Sequence, residues 1–303
     1  MTGPLSPIWA MDPAMYEQWR HRHAEAVSVG QQFTAEAVEA AARSARGDDS
    51  LPLQVRDGVG VVPVQGPIMR AGGGLLAALL GIVGTDDMRR AVQAAAQRDD
   101  VREIVLRINS PGGSVEGLAE LSDAVLNARQ SKRVTAQVDG MAASAAYHVA
   151  SQATRITAGR MDMVGSIGVR LMVADTSRMA ANEGVKMIPV DTGEFKSAGA
   201  PGTEVTERQQ ADFQRIVDQH FADFVGAVAR GRGMTEPQVR ELADGRMFIA
   251  STEAMPNGLV DAIQTFDETF AELREPAGSG AERRRQRAGA LRAKFSVATT
   301  EIH

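Results

Sequence analysis

Two short segments and one loop of this chain hold residue types that could do chemistry together. The first is Ile108-Asn109-Ser110-Pro111-Gly112-Gly113-Ser114. One proline and two glycines force a tight turn whose backbone amides can converge on an anion, and Ser114 can cap a following helix. An ordinary strand-to-helix turn could read the same way. The second is Val138-Asp139-Gly140-Met141-Ala142-Ala143-Ser144-Ala145-Ala146-Tyr147, in which a serine flanked by small residues follows an Asp-Gly turn. At the mouth of a helix its hydroxyl can be exposed, and small neighbours let a peptide backbone approach. Packed inward, Ser144 would only be a small residue where helix meets sheet. Together, an amide turn that accepts negative charge and a strand-end serine form the minimum kit for acyl transfer, an oxyanion hole and a nucleophile.

A serine at its ordinary pKa needs a base. There is no cysteine, which excludes disulfides, thiolate zinc sites, iron–sulfur ligation and a cysteine nucleophile. The five histidines are His21, His23, His148, His220 and His303, and none forms an HxxxH or HxxEH pattern, so no metal site is expected. His148 lies four residues after Ser144 on the same expected helix, where it projects away from the exposed turn. Most basic residues are arginines, which do not deprotonate; the lysines are Lys132, Lys186, Lys196 and Lys294. Lys132 and Lys186 read as turn or strand-start surface residues, and Lys294 falls in the tail. Lys196 is the best placed, in the small-residue loop Asp191-Thr192-Gly193-Glu194-Phe195-Lys196-Ser197-Ala198-Gly199-Ala200-Pro201, provided burial or nearby charge lowers its pKa.

The elements that must position these residues follow from periodicity. Apolar runs predict strands at 59–64, 103–108, 133–138, 155–157, 169–173 and 187–190. Helical patterns fall at 85–98, 114–130, 142–151 and 176–183. A long amphipathic helix spans about 206–230, with Phe213, Ile216, Val217, Phe221, Phe224, Val225 and Val228 on one stripe, a core or oligomer face. This βαβα alternation argues for an α/β domain with a largely parallel sheet and flanking helices. Residues 1–50 read as a helical N-terminal arm and linker, 51–273 as the main domain, and 274–303 as a basic, flexible tail.

Of 303 residues, 44% are hydrophobic and 23% charged, enough to bury one or two ordinary cores. The net charge of −5 gives no global reason to bind nucleic acid or an anionic membrane, the basic tail being the one exception for nucleic acid. The apolar run from Gly72 to Gly84 is short of a bilayer span, and the amino terminus carries charge where a signal peptide has an apolar core, so a cytoplasmic location without a membrane anchor is expected.

The ordered motifs INSPGG, DGMAASAAY, MVGSIGV and GEFKSAG resemble the signal peptide peptidase A family of serine–lysine peptidases, on the ClpP/crotonase fold. The resemblance covers roughly Val59 to Phe270, and the separations of 22 residues from Ser144 to Ser166 and 52 from Ser144 to Lys196 are similar to those of the short members. It implies Ser144 as nucleophile, Lys196 as general base and Ser166 as the hydroxyl that orients the lysine. It further implies the amides of Gly113, or Gly112, and Ala145 as oxyanion donors, with no metal and no cofactor. ClpP-type peptidases share the serine-bearing helix but use a Ser-His-Asp triad, and no histidine follows Ser144 at a comparable position. Crotonase enzymes share the fold without the serine–lysine pair.

The opening WAMDPAMYEQW resembles the arm of phage head maturation proteases of the same family. That resemblance implies a ring-like homo-oligomer, in which a serine of one subunit can meet a lysine of its neighbour. It implies cleavage of scaffold, capsid or portal proteins, or of the chain itself, during procapsid maturation within the host cytoplasm. An inactive assembly scaffold and a host peptide-clearing protease are the alternatives. Alanines around Ser144 imply a groove for small or apolar side chains.

Overall fold

The computed structural model describes residues 8–11, 51–70 and 81–275. The helix expected in the N-terminal arm, most of the apolar run from Gly72, and the basic tail lie outside the described residues. In chain order the first half comprises β1 (Ile8–Met11), β2 (Gln54–Arg56), β3 (Val59–Gln65), β4 (Ile68–Met69), β5 (Val83–Gly84), α1 (Thr85–Gln97), β6 (Glu103–Ser110), β7 (Gly112–Ser114), α2 (Leu118–Ala128) and β8 (Arg133–Ala143). The second half comprises α3 (Ala145–Ala150), β9 (Arg155–Ala158), β10 (Met163–Gly165), β11 (Arg170–Leu171), α4 (Ser177–Asn182), α5 (Glu207–Arg232), α6 (Glu236–Leu242) and β12 (Met247–Ile249). A π-helical turn (Ala250–Ala254), β13 (Ala262–Ile263) and α7 (Phe266–Arg274) follow.

Period-two alternation sets the main sheet. Val62, Val64, Ile104, Leu106 and Ile108 are buried in the larger core with α1 and α2, whereas Val59, Val61 and Val105 face the other way, against Leu273, Phe266 and Phe270 of α7. With both faces covered, β3, β6 and β8 pair in parallel, β3 reading as a Val-rich run and β6 as a run of Ile, Val and Leu. The order is β12-β10-β8-β6-β3-β2, antiparallel at its two outer pairs. The long β8 serves two neighbours in turn, β9 along Thr135–Val138 and β10 along Met141–Ala143. This is the expected α/β architecture with a mostly parallel sheet and flanking helices.

A smaller sheet, β11-β1-β7-β4-β5, stands at the end where β6 and β8 finish. Here β1 pairs antiparallel with β7 on one side and with β11 on the other.

Several elements differ from the sequence expectation. Gly112–Ser114 is a strand rather than the head of a helix; the following helix starts at Leu118 with Gly117 as its cap at φ 71°. Ser114 Oγ instead accepts the Glu116 amide at 3.2 Å, so Ser114 stabilises a turn and caps no helix. Residues 187–190 form no strand, because nothing pairs with that exposed stretch. Strand 133–138 runs on to Ala143, and the next helix starts at Ala145 rather than Ala142. The apolar residues of the long α5 are buried only in its C-terminal half, at Phe224, Val225, Ala227, Val228 and Ala229; Phe213, Ile216, Val217 and Phe221 are half-buried.

Candidate active site

At the end of β8 the chain reverses on Ser144, whose φ of 52° and ψ of −118° lie outside the regions an L residue adopts freely. Such a conformation costs roughly 1–3 kcal/mol and persists only when its surroundings over-determine it. Here the Ser144 amide donates to the Gly165 carbonyl at 2.7 Å and the His148 amide donates to the Ser144 carbonyl at 2.9 Å. Ala142, Ala143, Ala145 and Ala146 are fully buried around it, which explains the run of small residues. Among the described residues three non-glycines have positive φ: Asp57, which precedes Gly58 in a hairpin turn, Ser144 and Ser166. Two of these three are serines singled out from the sequence. Ser166, at φ 49°, is held by its amide's 2.7 Å hydrogen bond to the Arg246 carbonyl.

The Gly112-Gly113 segment lies beside this turn as β7, and α3 packs against it. Gly113 tolerates no side chain, because a Cβ there would be driven into the Ile68 carbonyl of β4. The Gly112 amide already donates to Ser110 Oγ at 3.2 Å. Gly113 lies between two strands, opposite Ala10 of β1 and Ile68 of β4.

Ser144 and Ser166 line one cavity of about 480 Å3, but both are buried, Ser144 at 1% exposure rather than exposed as its place at a helix mouth suggested. Ile167, Val169, Val217 and Phe221 supply apolar walls, while Gln214, Asp218 and Asp244 add polar groups. The Asp244 carboxylate is paired with Arg246 at 2.8 Å, which holds its pKa below the usual carboxylate range. The contribution of α5 to this wall was not legible from the sequence, where its stripe reads as core. The Ser144 hydroxyl donates to the Gly168 carbonyl at 3.4 Å.

Lys196 is not among the residues lining that cavity. It is exposed, on a segment that leaves the body after β11 and returns at α5. The base of its loop is anchored to the start of α5: Gln209 Nε2 donates to the Glu194 carbonyl at 2.8 Å, Arg208 pairs with the Glu194 carboxylate at 2.7 Å, and the Arg208 guanidinium lies over the Phe195 ring. Within one copy of the chain, therefore, the two serines share a cavity and the lysine stands apart. The same segment exposes Met172, Met179, Val185, Met187, Ile188 and Val190, the last at 93%.

His148 faces away from Ser144, as its position on the helix predicts. It is 3% exposed, with Nδ1 2.7 Å from Ser122 Oγ, its ring edge-on to Phe224, and Nε2 3.8 Å from the Asp223 carboxylate. This constellation looks like a serine–histidine–aspartate triad, but Ser122 and His148 are not among the residues lining the cavity that Ser144 and Ser166 share. The Asp223 carboxyl is held below its ordinary range by the facing imidazole, against an opposing effect of partial burial.

The strained strand-end serine and the glycine strand beside it stand on a mostly parallel sheet with flanking helices. The model of peptidase family S49 matches residues 127–279, and the chain belongs to that family. It is 30% identical over 179 residues to a protein of Methanocaldococcus jannaschii named as a protease, covering 59% of this chain and 57% of that one. It is 31% identical to Protease 4 of Salmonella typhi, over 65% of this chain and 32% of that protein. It is 27% identical to Capsid assembly protease C of Escherichia phage lambda, over 76% of this chain and 53% of that protein. The chain spans less than two thirds of the length of each of these relatives. Among the described residues no helix is long and apolar enough to cross a membrane.

Proposed function

We propose that the chain is a serine endopeptidase working by a Ser144–Lys196 dyad completed between two copies, and that it acts on capsid, scaffold or portal proteins during assembly of a phage head. The observation that carries the reading is the strained Ser144 turn beside the Gly113 and Ala145 amides, in a cavity shared with Ser166. A solvated lysine is protonated at neutral pH and cannot act as a base. Burial lowers a lysine pKa, so Lys196 needs an apolar partner surface. The exposed methionines, valines and isoleucine of its own segment need one as well. A neighbouring copy that covers this segment would bring Lys196 toward a second Ser144.

In that arrangement neutral Lys196 takes the Ser144 proton and Ser166 orients the amine. The alkoxide attacks the peptide carbonyl, and the amides of Gly113 and Ala145 hold the oxyanion. Lys196 then protonates the leaving amine, and water activated by the same lysine hydrolyses the acyl-enzyme. Ile167, Val217 and Phe221 favour small or apolar side chains near the scissile bond.

The phage role rests on the likeness to Capsid assembly protease C, which extends over more of this chain than the likeness to Protease 4 does. The test is incubation with the cognate scaffold, portal and capsid proteins, wild type beside Lys196→Ala. Discrete cleavage by the wild type alone supports the reading; uncut capsid proteins alongside hydrolysis of unrelated peptides would transfer the chain to general peptide clearance.

A further inference from the structure

Strand β1 occupies an unusual place. It is the middle strand of β11-β1-β7, and it reaches that place from the far amino terminus, whereas β7 and β11 come from the two segments that build the active site. Trp9 lies opposite Ser114 and Arg170, Ala10 opposite Gly113, and Met11 opposite Gly112. The backbone of residues 9–11 therefore runs along Gly112, Gly113 and Ser114 of β7, the strand in contact with α3 beside the Ser144 turn, and it closes the far side against the strand that follows Gly168.

Without β1 the facing edges of β7 and β11 would stand two strand spacings apart, about 9.5 Å, each with unpaired amides and carbonyls. A slot of that width accepts one extended backbone and nothing wider, which is the geometry of recognition by strand addition. An extended peptide could pair with β7 and β11 there only in place of β1.

We propose that Ile8–Met11 fills the peptide-binding slot of its own chain, so that an extended polypeptide substrate must displace the amino-terminal strand to reach Ser144. This rests on the peptidase reading of the Ser144 cavity. Competition between a tethered strand and a free peptide lowers the apparent affinity by the fraction of time the slot is open.

The test uses the full chain carrying Ser144→Ala, so that nothing is cut, with and without Ala10→Pro. Proline removes an amide and cannot sit in a central strand. Fluorescence anisotropy with a labelled hexapeptide, Ile-Trp-Ala-Met-Asp-Pro, should show about tenfold or more tighter binding to the Ala10→Pro chain. Equal affinity for the two chains overturns the proposal while leaving the peptidase reading intact. If neither chain binds, the slot takes no extended peptide and this proposal falls, while the peptidase reading stands or falls on cleavage by the wild-type chain. Should Ala10→Pro lose its thermal unfolding transition, hydrogen exchange on the Ser144→Ala chain decides: saturating hexapeptide must speed exchange at Trp9, Ala10 and Met11, and unchanged exchange overturns the proposal.

Discussion

The Ser144 hydroxyl donates to the Gly168 carbonyl at 3.4 Å, the long limit of a hydrogen bond. So weak a contact orients the hydroxyl without holding its proton, and a base can take over with little loss. Replacing Ser144 by alanine should leave the fold intact, because the Cβ that meets the strained turn remains. Peptide hydrolysis should fall by about a thousandfold or more, with the melting temperature nearly unchanged. Ser166→Ala should lower kcat by about a hundredfold and leave KM alone, since that serine is read as orienting the base. Steady-state kinetics beside thermal melts check both.

His148 gives the opposite pattern. Truncation to alanine leaves Ser122 Oγ unpaired and opens a void beside Phe224, at a cost of about 2–4 kcal/mol. At temperatures where the variant is folded, kcat should stay within about twofold of wild type. A collapse of kcat in the folded variant would favour a histidine-based mechanism.

Asp223 predicts a pH effect of definite sign. Its carboxyl has a lower pKa folded than unfolded, so it stabilises the fold above its unfolded value, near 3.9, and that contribution is lost as pH falls through the folded value. Most of the side chain is exposed, so the difference should be only a few tenths of a kcal/mol. Urea midpoints of wild type and Asp223→Asn should differ near pH 6 and converge below about pH 3.

Gly113→Ala should destabilise by roughly 3 kcal/mol or more and abolish hydrolysis, because the new Cβ meets the Ile68 carbonyl and β4 and β7 must separate. Denaturant unfolding and a peptide assay read the two effects separately.

The buried faces of β3 and β6 were legible because both sides of each strand carry apolar residues, Val in β3 and Ile, Val and Leu in β6. Ser144 was legible from its small neighbours and the Asp-Gly turn before it, whereas Ser166 came only from the family resemblance. What the sequence concealed depends on long-range pairing. Gly112–Ser114 becomes a strand only because β1 and β4 flank it, and 187–190 fails to become one because it has no flanking strand. Val217 and Phe221 of the α5 stripe read as core yet line the Ser144 cavity, since periodicity gives a face and not its neighbour.

The central claim, that one copy's Ser144 works with another copy's Lys196, is met most directly by mixing. Full chains carrying Ser144→Ala and Lys196→Ala, each inactive alone, are combined under conditions where mixed oligomers are confirmed by native mass spectrometry, and peptide hydrolysis is measured. Recovery of a substantial fraction of wild-type activity is the predicted result. No recovery in confirmed mixed oligomers would contradict it.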